Sequence, residues 1–242
     1  MWHFHRRLRP FSLISFDLDD TLYDNGPVIL NAEQQLADYI ARAWPEVSDM
    51  DAAAWRQLRD HVAKEDAALA SDMTALRLAT LIRGLRQRGV LERRARSLAE
   101  EGMEQFLVAR NDVTIDPKVI ALLDQLAAHY PLVAVSNGNA DIHRLGLSDY
   151  FIAAYHPGHG RRGKPFTDLF VAAAEGAKLT APDQLLHIGD HPVSDVQGAL
   201  NFGAQSIWYV PEPASLSQHP TRLPEARVSE LTALHALVPG SQ

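Results

Sequence analysis

Residues 13–21 read LISFDLDDT and join a short apolar run to a cluster of acidic side chains. Leu13–Phe16 has the length and apolar character of a buried strand in a parallel sheet. Alternate residues of an extended segment point the same way, so Asp17 and Asp19 are predicted to converge directly after this strand. Two carboxylates held close together are costly without a cation or a proton between them. The stretch therefore predicts a buried strand with a charged site at its end.

Beyond residue 110 the chain alternates between strand-like and helix-like segments. The predicted strands lie at residues 132–135, 151–154, 185–188 and 206–210, and the predicted helices at residues 117–129, 166–178 and 193–202. Such alternation is typical of the α/β class, and it predicts a Rossmann-like parallel sheet with helices on both faces. In these sheets, ligands bind beyond the carboxyl ends of the strands.

Residues 25–110 have a different pattern, because their apolar residues recur at helical spacing. We interpret them as an all-helical insert of about four helices after the first strand. The fourth helix is predicted to be interrupted at Gly102. Two domains follow from this interpretation: an α/β core of residues 1–24 and 111–242, and a helical domain of residues 25–110.

Composition excludes several classes of function. The 242 residues include 23 Lys and Arg, 30 Asp and Glu and no Cys, and the net charge is −7. Disulfides, thiolate metal sites and thiol nucleophiles are therefore excluded, and an acidic chain is a poor ligand for nucleic acid. The apolar stretch at residues 11–16 is shorter than the roughly 7–15 residues of a secretory signal, and no run approaches the ~20 residues of a membrane span. We expect a cytoplasmic monomer or homodimer without nucleic-acid or membrane partners.

Four polar motifs lie at or just past predicted strand ends or open a predicted helix. They are D-x-D-x-T at residues 17–21, S-N-G at 136–138, K-P at 164–165 and G-D-x-x-x-x-D at 189–195. In this order they resemble the haloacid dehalogenase-like (HAD) hydrolase superfamily, and the helical insert resembles its C1 type of cap. The resemblance covers essentially the whole chain.

The resemblance implies a Mg²⁺-dependent phosphatase. Asp17 is implied as the nucleophile that forms an aspartyl-phosphate, and Asp19 as the acid for the leaving oxygen and then the base for water. The implied magnesium ligands are the carboxylates of Asp17 and Asp190 and the backbone carbonyl of Asp19. A carboxylate attacking a phosphate dianion meets charge repulsion, which a hard, oxygen-binding cation such as Mg²⁺ relieves.

The remaining motif residues are implied to hold the phosphoryl group. Ser136 and the backbone N–H of Asn137 bind its oxygens, and Lys164 neutralises charge on Asp17 and on the transferring group. Asp195 is implied as a residue of the metal site, which binds the metal directly or acts through water from the outer coordination sphere. We expect a small phosphorylated substrate, because a helical insert can close over such a site and exclude water.

Two features remain open in the sequence. His191 lies beside Asp190 and before Pro192, which favours a role in the loop or at the helix entry over contact with the metal. The basic loop at residues 156–162 is either a solvated loop or an additional site for a substrate anion.

Four longer stretches of sequence resemble one particular branch of this superfamily. FDLDDTLYDNGPVI at residues 16–29, SNGNA at 136–140, PGHG at 157–160 (preceded by His156) and KPFTDLF at 164–170 resemble a bacterial phosphatase branch that includes flavin-pathway enzymes. Those enzymes dephosphorylate 5-amino-6-(5-phospho-D-ribitylamino)uracil and FMN, which implies riboflavin biosynthesis. The alternatives are a phosphomutase on a sugar phosphate, a catalytically silent phosphate-binding module, and a dehalogenase, whose chemistry needs no metal and no acid of the Asp19 type.

Overall fold

The computed structural model describes residues 1–70, 72–211 and 220–240. These residues contain seven strands, which are β1 (Trp2–Phe4), β2 (Leu13–Phe16), β3 (Leu132–Val135), β4 (Phe151–Tyr155), β5 (Leu185–Gly189), β6 (Gln205–Tyr209) and β7 (Ala226–Val228). They form one sheet in the order β1-β7-β6-β5-β2-β3-β4. All neighbours are parallel except β1 and β7, which are antiparallel. The predicted α/β class with a mostly parallel sheet is confirmed.

The sheet belongs to an α/β unit comprising Met1–Asp24, Thr114–Asn137 and Asp141–Gln242. The α-helices described in this unit are α6 (Pro117–Ala127), α7 (Asp168–Gly176) and α8 (Gly198–Phe202), with 3-10 turns at Pro182–Gln184 and Leu231–Leu237 and a π turn at Pro192–Gln197. An apolar cluster of this unit joins β2, β3 and β5 to α7 and α8. Burial of these apolar side chains holds the central strands in place.

The register of the central strands aligns their carboxyl ends. Phe16 of β2 pairs with Ala134 of β3 on one side and with Ile188 of β5 on the other. Because the three strands run in parallel, the residues that follow them emerge at the same edge of the sheet. The first, second and fourth motifs of the sequence therefore meet at one place.

The helical unit comprises Asn25–Val113 and Gly138–Ala140. Its α-helices are α1 (Asn25–Ala43), α2 (Ala52–Glu65), α3 (Ala67–Ala70), α4 (Met73–Gln87) and α5 (Glu92–Arg110), with a 3-10 turn at Pro45–Val47. They enclose a separate apolar core that contains Trp44, Trp55 and Phe106. The boundary at Val113 lies three residues beyond the predicted one.

The predicted interruption at Gly102 is wrong, because α5 runs through it. A Cβ at Gly102 would lie 2.7 Å from the ring of Trp44, which is almost fully buried. The glycine therefore allows the tryptophan to pack directly on the helix backbone. None of the helices within the described ranges has the length and apolar character required to cross a lipid bilayer.

Candidate active site

The chain reverses direction immediately after β2. The backbone N–H of Asp17 donates to the carbonyl of Ile188 at 2.9 Å, which continues the sheet by one residue. Asp20 then adopts a left-handed conformation with φ of 57°, which aspartate tolerates better than most residues. The N–H of Leu22 donates to the carbonyl of Leu18 at 2.9 Å and closes the turn. This turn holds Asp17 at the edge of the sheet.

A buried ammonium group lies between two carboxylates at this edge. Lys164 Nζ is 3.0 Å from Asp17 Oδ1 and 2.5 Å from Asp195 Oδ1. Burial opposes the charge on Lys164, but the two carboxylates outweigh burial and raise the pKa of the lysine. Lys164 therefore remains a cation in contact with Asp17.

Asp195 is also held by a histidine, which a serine holds in turn, and neither residue was predicted as part of the site. His187 Nε2 lies 3.0 Å from Asp195 Oδ1, and His187 Nδ1 lies 2.8 Å from Ser15 Oγ. Burial lowers the pKa of His187, so the ring is neutral. An ionised carboxylate can only accept, so Nε2–H donates to Asp195 and the Ser15 hydroxyl donates to Nδ1. Ser15 and His187 are paired residues on β2 and β5, and both are polar in otherwise apolar strands, which is the signal that the sequence offered.

The second oxygen of Asp195 is also occupied. Asp195 Oδ2 accepts from the backbone N–H of His191 at 2.8 Å. Burial would raise the pKa of Asp195, but Lys164 and His187 outweigh it and hold that pKa below its usual value. A Cβ at Gly189 would lie 2.3 Å from Asp195 Cγ, so only glycine leaves room for this carboxylate.

His191 caps the turn that follows it. Its Nδ1 accepts from the backbone N–H groups of Val193 at 3.2 Å and Ser194 at 3.0 Å. These are donors that a helix start leaves unpaired. The geometry favours the role at the helix entry that the sequence predicted for His191.

Asp190 lies at the same edge, directly after β5. Its carboxylate accepts from the Thr21 hydroxyl at 3.2 Å, and its backbone carbonyl accepts from Trp208 Nε1 at 2.6 Å. Burial raises the pKa of Asp190 to about 8, and neighbouring carboxylates, first that of Asp195, act in the same direction. Burial likewise raises the pKa of Asp17 to about 7, against the opposing charge of Lys164.

These carboxylates fit a divalent cation. Asp17, Asp190 and Asp195 each present an oxygen, and the three atoms lie within 4.8 Å of one another. Mg²⁺ prefers oxygen ligands of this kind. Burial raises the pKa of both Asp17 and Asp190, so a cation bound to them would offset the cost of burying their negative charges. Because both oxygens of Asp195 already accept hydrogen bonds, Asp17 and Asp190 are better suited than Asp195 to bind a metal directly.

The side-chain amide of Asn137, in the motif after β3, fixes the backbone of Lys164. Asn137 Nδ2 donates to the backbone carbonyl of Lys164 at 2.8 Å, and the N–H of Lys164 donates to Asn137 Oδ1 at 2.7 Å. This pair ties the Lys164 segment to the loop after β3. Ser136 is buried beside it, and its backbone N–H donates to the carbonyl of Tyr155 at 3.1 Å. The side-chain role of Asn137 was not predicted.

Asp19 has a phenol partner. The Tyr23 hydroxyl donates to Asp19 Oδ1 at 2.6 Å, which fixes the position of that carboxylate.

The basic loop at residues 156–162 folds on itself. Gly158 and Arg161 exchange backbone hydrogen bonds of 3.0 and 3.1 Å. The Arg162 guanidinium donates to Asp168 and lies 4.1 Å from the centre of the Phe166 ring. The charge of Arg162 is therefore neutralised locally, which favours the interpretation of a solvated loop.

Comparisons with known proteins agree with this arrangement. Residues 11–203 match the sequence model of the family described as haloacid dehalogenase-like hydrolase. The chain is 34% identical over 238 residues to the 5-amino-6-(5-phospho-D-ribitylamino)uracil phosphatase YigB of Escherichia coli (strain K12), covering 97% of this chain and 99% of that protein. It is 27% identical over 245 residues to a phosphoserine phosphatase of Thermus thermophilus, covering 90% of this chain and 96% of that protein.

A solved structure is similar over nearly the whole chain. A 2-haloacid dehalogenase from Pseudomonas syringae pv. Tomato DC3000 gives a TM-score of 0.85 at 36% identity, covering 94% of this chain and 97% of that one. The expected family resemblance is confirmed, and the protein is an enzyme. The chain belongs to the haloacid dehalogenase-like hydrolase family.

Proposed function

We propose that this enzyme is a magnesium-dependent phosphatase that hydrolyses a small phosphomonoester. The observation that carries the proposal is the buried ammonium of Lys164 in contact with Asp17, beside the oxygen cluster that includes Asp190. Phosphoryl transfer depends mainly on positioning and on electrostatic stabilisation, and both are provided by a fixed cation beside a carboxylate.

In the proposed first step, a carboxylate oxygen of Asp17 forms a bond to phosphorus while the ester P–O bond breaks. Asp19 gives its proton to the leaving oxygen, and the Tyr23 hydroxyl holds Asp19 for this transfer. The product alcohol leaves, and the phosphoryl group remains on Asp17 as an aspartyl-phosphate.

In the second step, water attacks the phosphorus of the aspartyl-phosphate. Asp19 now takes the proton of that water, and the P–O bond to Asp17 breaks. Ser136 and the backbone N–H of Asn137 hold the phosphoryl oxygens throughout, and Lys164 offsets the charge that develops on them. The carboxylate of Asp17 is regenerated together with inorganic phosphate.

The residues that would hold Mg²⁺ are the carboxylates of Asp17 and Asp190 and the backbone carbonyl of Asp19, with Asp195 beside them in the outer coordination sphere. When bound, the ion would reduce the repulsion between the attacking carboxylate and the phosphate dianion. Asp195 contributes by orienting Lys164, to which it is bound at 2.5 Å.

We further propose that the helical unit is a C1-type cap and that the substrate is 5-amino-6-(5-phospho-D-ribitylamino)uracil or FMN. The support is 34% identity, over 97% of this chain, to a phosphatase named for the first of these compounds. On this substrate we propose a role for the enzyme in riboflavin metabolism.

A phosphate-release screen tests the proposal. The panel contains sugar phosphates, nucleotides, phosphoserine, FMN and the ribitylaminouracil phosphate, each with Mg²⁺ and with EDTA. We expect Mg²⁺-dependent release, highest for the ribitylaminouracil phosphate or FMN, and background rates for Asp17→Asn. Asp124→Asn removes an exposed carboxylate on α6 and is the matched control. Isomerisation of a sugar phosphate without phosphate release, or phosphate binding without turnover, would overturn the proposal.

A dehalogenase is the second candidate, because a structure of that name is 36% identical to this chain. Halide release from a 2-haloacid in the presence of EDTA would favour it. The hydrogen bond that positions Asp19 and the partnered Asp190 favour the phosphatase, since dehalogenation requires neither an acid of the Asp19 type nor a metal.

A further inference from the structure

The helical unit contains a buried carboxylate that is shared by three arginines. Glu33 of α1 accepts from Arg56 Nη1 at 3.1 Å, from Arg59 Nη1 at 2.7 Å and from Arg77 Nη2 at 3.5 Å. The side chain of Glu33 is 7% exposed and that of Arg77 10% exposed, so much of this charge is away from water. Three guanidinium groups face Glu33, and Arg59 also pairs with the exposed Asp60 at 3.4 Å, so the cluster has an excess of one positive charge.

Two donors in this cluster have no hydrogen-bond partner among the described residues. They are Arg77 Nε and Trp55 Nε1, and both residues are more than nine-tenths buried. A buried N–H without an acceptor destabilises the fold, so such groups usually mark an unseen partner. Thr80, beside them, already donates its hydroxyl to the carbonyl of Leu76 at 2.7 Å.

The same residues line a cavity of about 20 Å³, with Glu33, Arg56 and Arg59 among its walls. A cavity needs about 10–15 Å³ to hold one water-sized particle. The space therefore suits a single compact species, and the partially exposed Arg56 side chain (40%) offers a path from solvent.

Charge distinguishes an anion from water in this space. Burial lowers the pKa of Arg77 to about 10, Arg59 and Arg110 act in the same direction, and Glu33 opposes them. The guanidinium of Arg77 lies 3.7 Å from the centre of the Phe106 ring, which provides a further contact for the cation. The unpartnered groups are donors, and an anion is purely an acceptor that pairs with both; water can also accept from them but, unlike an anion, does not offset the excess positive charge.

We propose that this cavity binds one compact monoanion, a halide or the head of a carboxylate, between Arg77, Arg59 and the indole N–H of Trp55. The site is independent of the proposed phosphatase chemistry, because none of the catalytic or phosphate-binding residues lines it. Occupancy neutralises part of the excess charge and stabilises the folded helical unit by mass action.

Thermal unfolding of the full chain tests the proposal. Sodium gluconate, whose anion is too large for the cavity, is replaced by sodium chloride or sodium formate at constant ionic strength, and ³⁵Cl NMR line broadening reports chloride binding directly. We expect a saturable rise in Tm with chloride, formate or both, which identifies the halide or the carboxylate as the ligand. Equal Tm values in all three salts, with no excess ³⁵Cl broadening, would mean that the cavity holds water and would overturn the proposal.

Arg77→Met removes the central cation while Arg56 and Arg59 still pair with Glu33. We expect at least tenfold weaker anion binding in this variant. Arg83→Met on the same helix, which loses only an exposed pair with Glu65, should keep wild-type binding. If Arg77→Met does not fold, Arg56→Gln on the rim provides the same comparison. Unchanged anion binding in the cavity variant would contradict the assignment.

Discussion

Lys164 Nζ and Asp195 Oδ1 lie 2.5 Å apart, and both side chains are almost completely excluded from solvent. The same ammonium is 3.0 Å from Asp17 Oδ1. A single lysine therefore links the residue after β2 to the turn after β5. Because these groups are buried, removing the lysine leaves two carboxylates in the protein interior without their shared cation.

Lys164→Met should therefore impair both catalysis and stability. We expect kcat to fall about 10²–10³-fold, as for loss of an electrostatic contact to the transition state, and the free energy of unfolding to fall by about 3–5 kcal/mol. Steady-state kinetics and urea unfolding measure the two effects. Lys118→Met, at an exposed position on α6, is the control and should change neither. If Lys164→Met has the kcat of the wild type, Lys164 does not contribute to catalysis.

His187 should be replaceable by a residue that keeps both of its hydrogen bonds. In His187→Gln the amide N–H can donate to Asp195 and the amide oxygen can accept from Ser15, whereas His187→Leu loses both contacts. We expect kcat to fall about 10–100-fold in His187→Leu, with little change in KM, and to recover largely in His187→Gln. If the two variants have equal kcat values, His187 does not position Asp195.

The metal-free protein should lose stability as pH rises through the neutral range. The folded-state pKa values of Asp17 and Asp190, about 7 and about 8, lie above the usual value. Below these values the folded state therefore binds protons that the unfolded state has released, and the free energy of unfolding falls with rising pH. The neutral His187 opposes this fall below its ordinary pKa of 6.5, so the fall is clearest between about pH 6.5 and 8. The slope is about 1 kcal/mol per pH unit for each group.

Urea unfolding at several pH values, with EDTA or Mg²⁺, measures this slope. Mg²⁺ should stabilise the protein more at pH 8 than at pH 6, because it binds the ionised carboxylates. Asp190→Asn should flatten the slope, while Asp124→Asn should leave it unchanged. If the free energy of unfolding of the metal-free wild type rises with pH over this range, the pKa values of Asp17 and Asp190 are not raised in the folded state.

Gly102→Ala tests the packing of the helical unit. The added methyl group would lie 2.7 Å from the buried ring of Trp44. We expect a net loss of about 1–3 kcal/mol in the free energy of unfolding, because overpacking exceeds the gain in helix propensity. Glu101→Ala, at the neighbouring exposed position, should change it by about 0.5 kcal/mol or less. A stabilised Gly102→Ala variant would show that Trp44 moves freely.

For the candidate site, the sequence predicted best which residues lie together at one edge of the sheet. Asp17, Ser136 and Asp190 could be identified because each comes directly after an apolar run, and parallel strands bring such positions to one edge. The motif also identified Lys164, but not its double ion pair. That pair depends on the tertiary packing that places Asp195, in the turn after β5, beside Lys164.

Other features of the structure cannot be predicted from a short stretch of sequence. The pairing of Ser15 with His187 depends on which strands are neighbours, and each residue alone is an ordinary polar residue in an apolar segment. β1 and β7 have three residues each and are paired across the length of the chain, so neither has a periodic pattern of its own. The sequence predicts an interruption of the helix at Gly102, because sequence alone cannot show that Trp44 requires the space.

The nucleophilic role of Asp17 can be tested by acid-quenching the enzyme during turnover of its best phosphomonoester substrate with Mg²⁺, followed by peptide mass spectrometry. We expect the peptide that contains Asp17 to gain the mass of one phosphoryl group, and Asp17→Asn to show none. A phosphoryl group on a different residue, or full turnover in Asp17→Asn, would contradict the proposed mechanism.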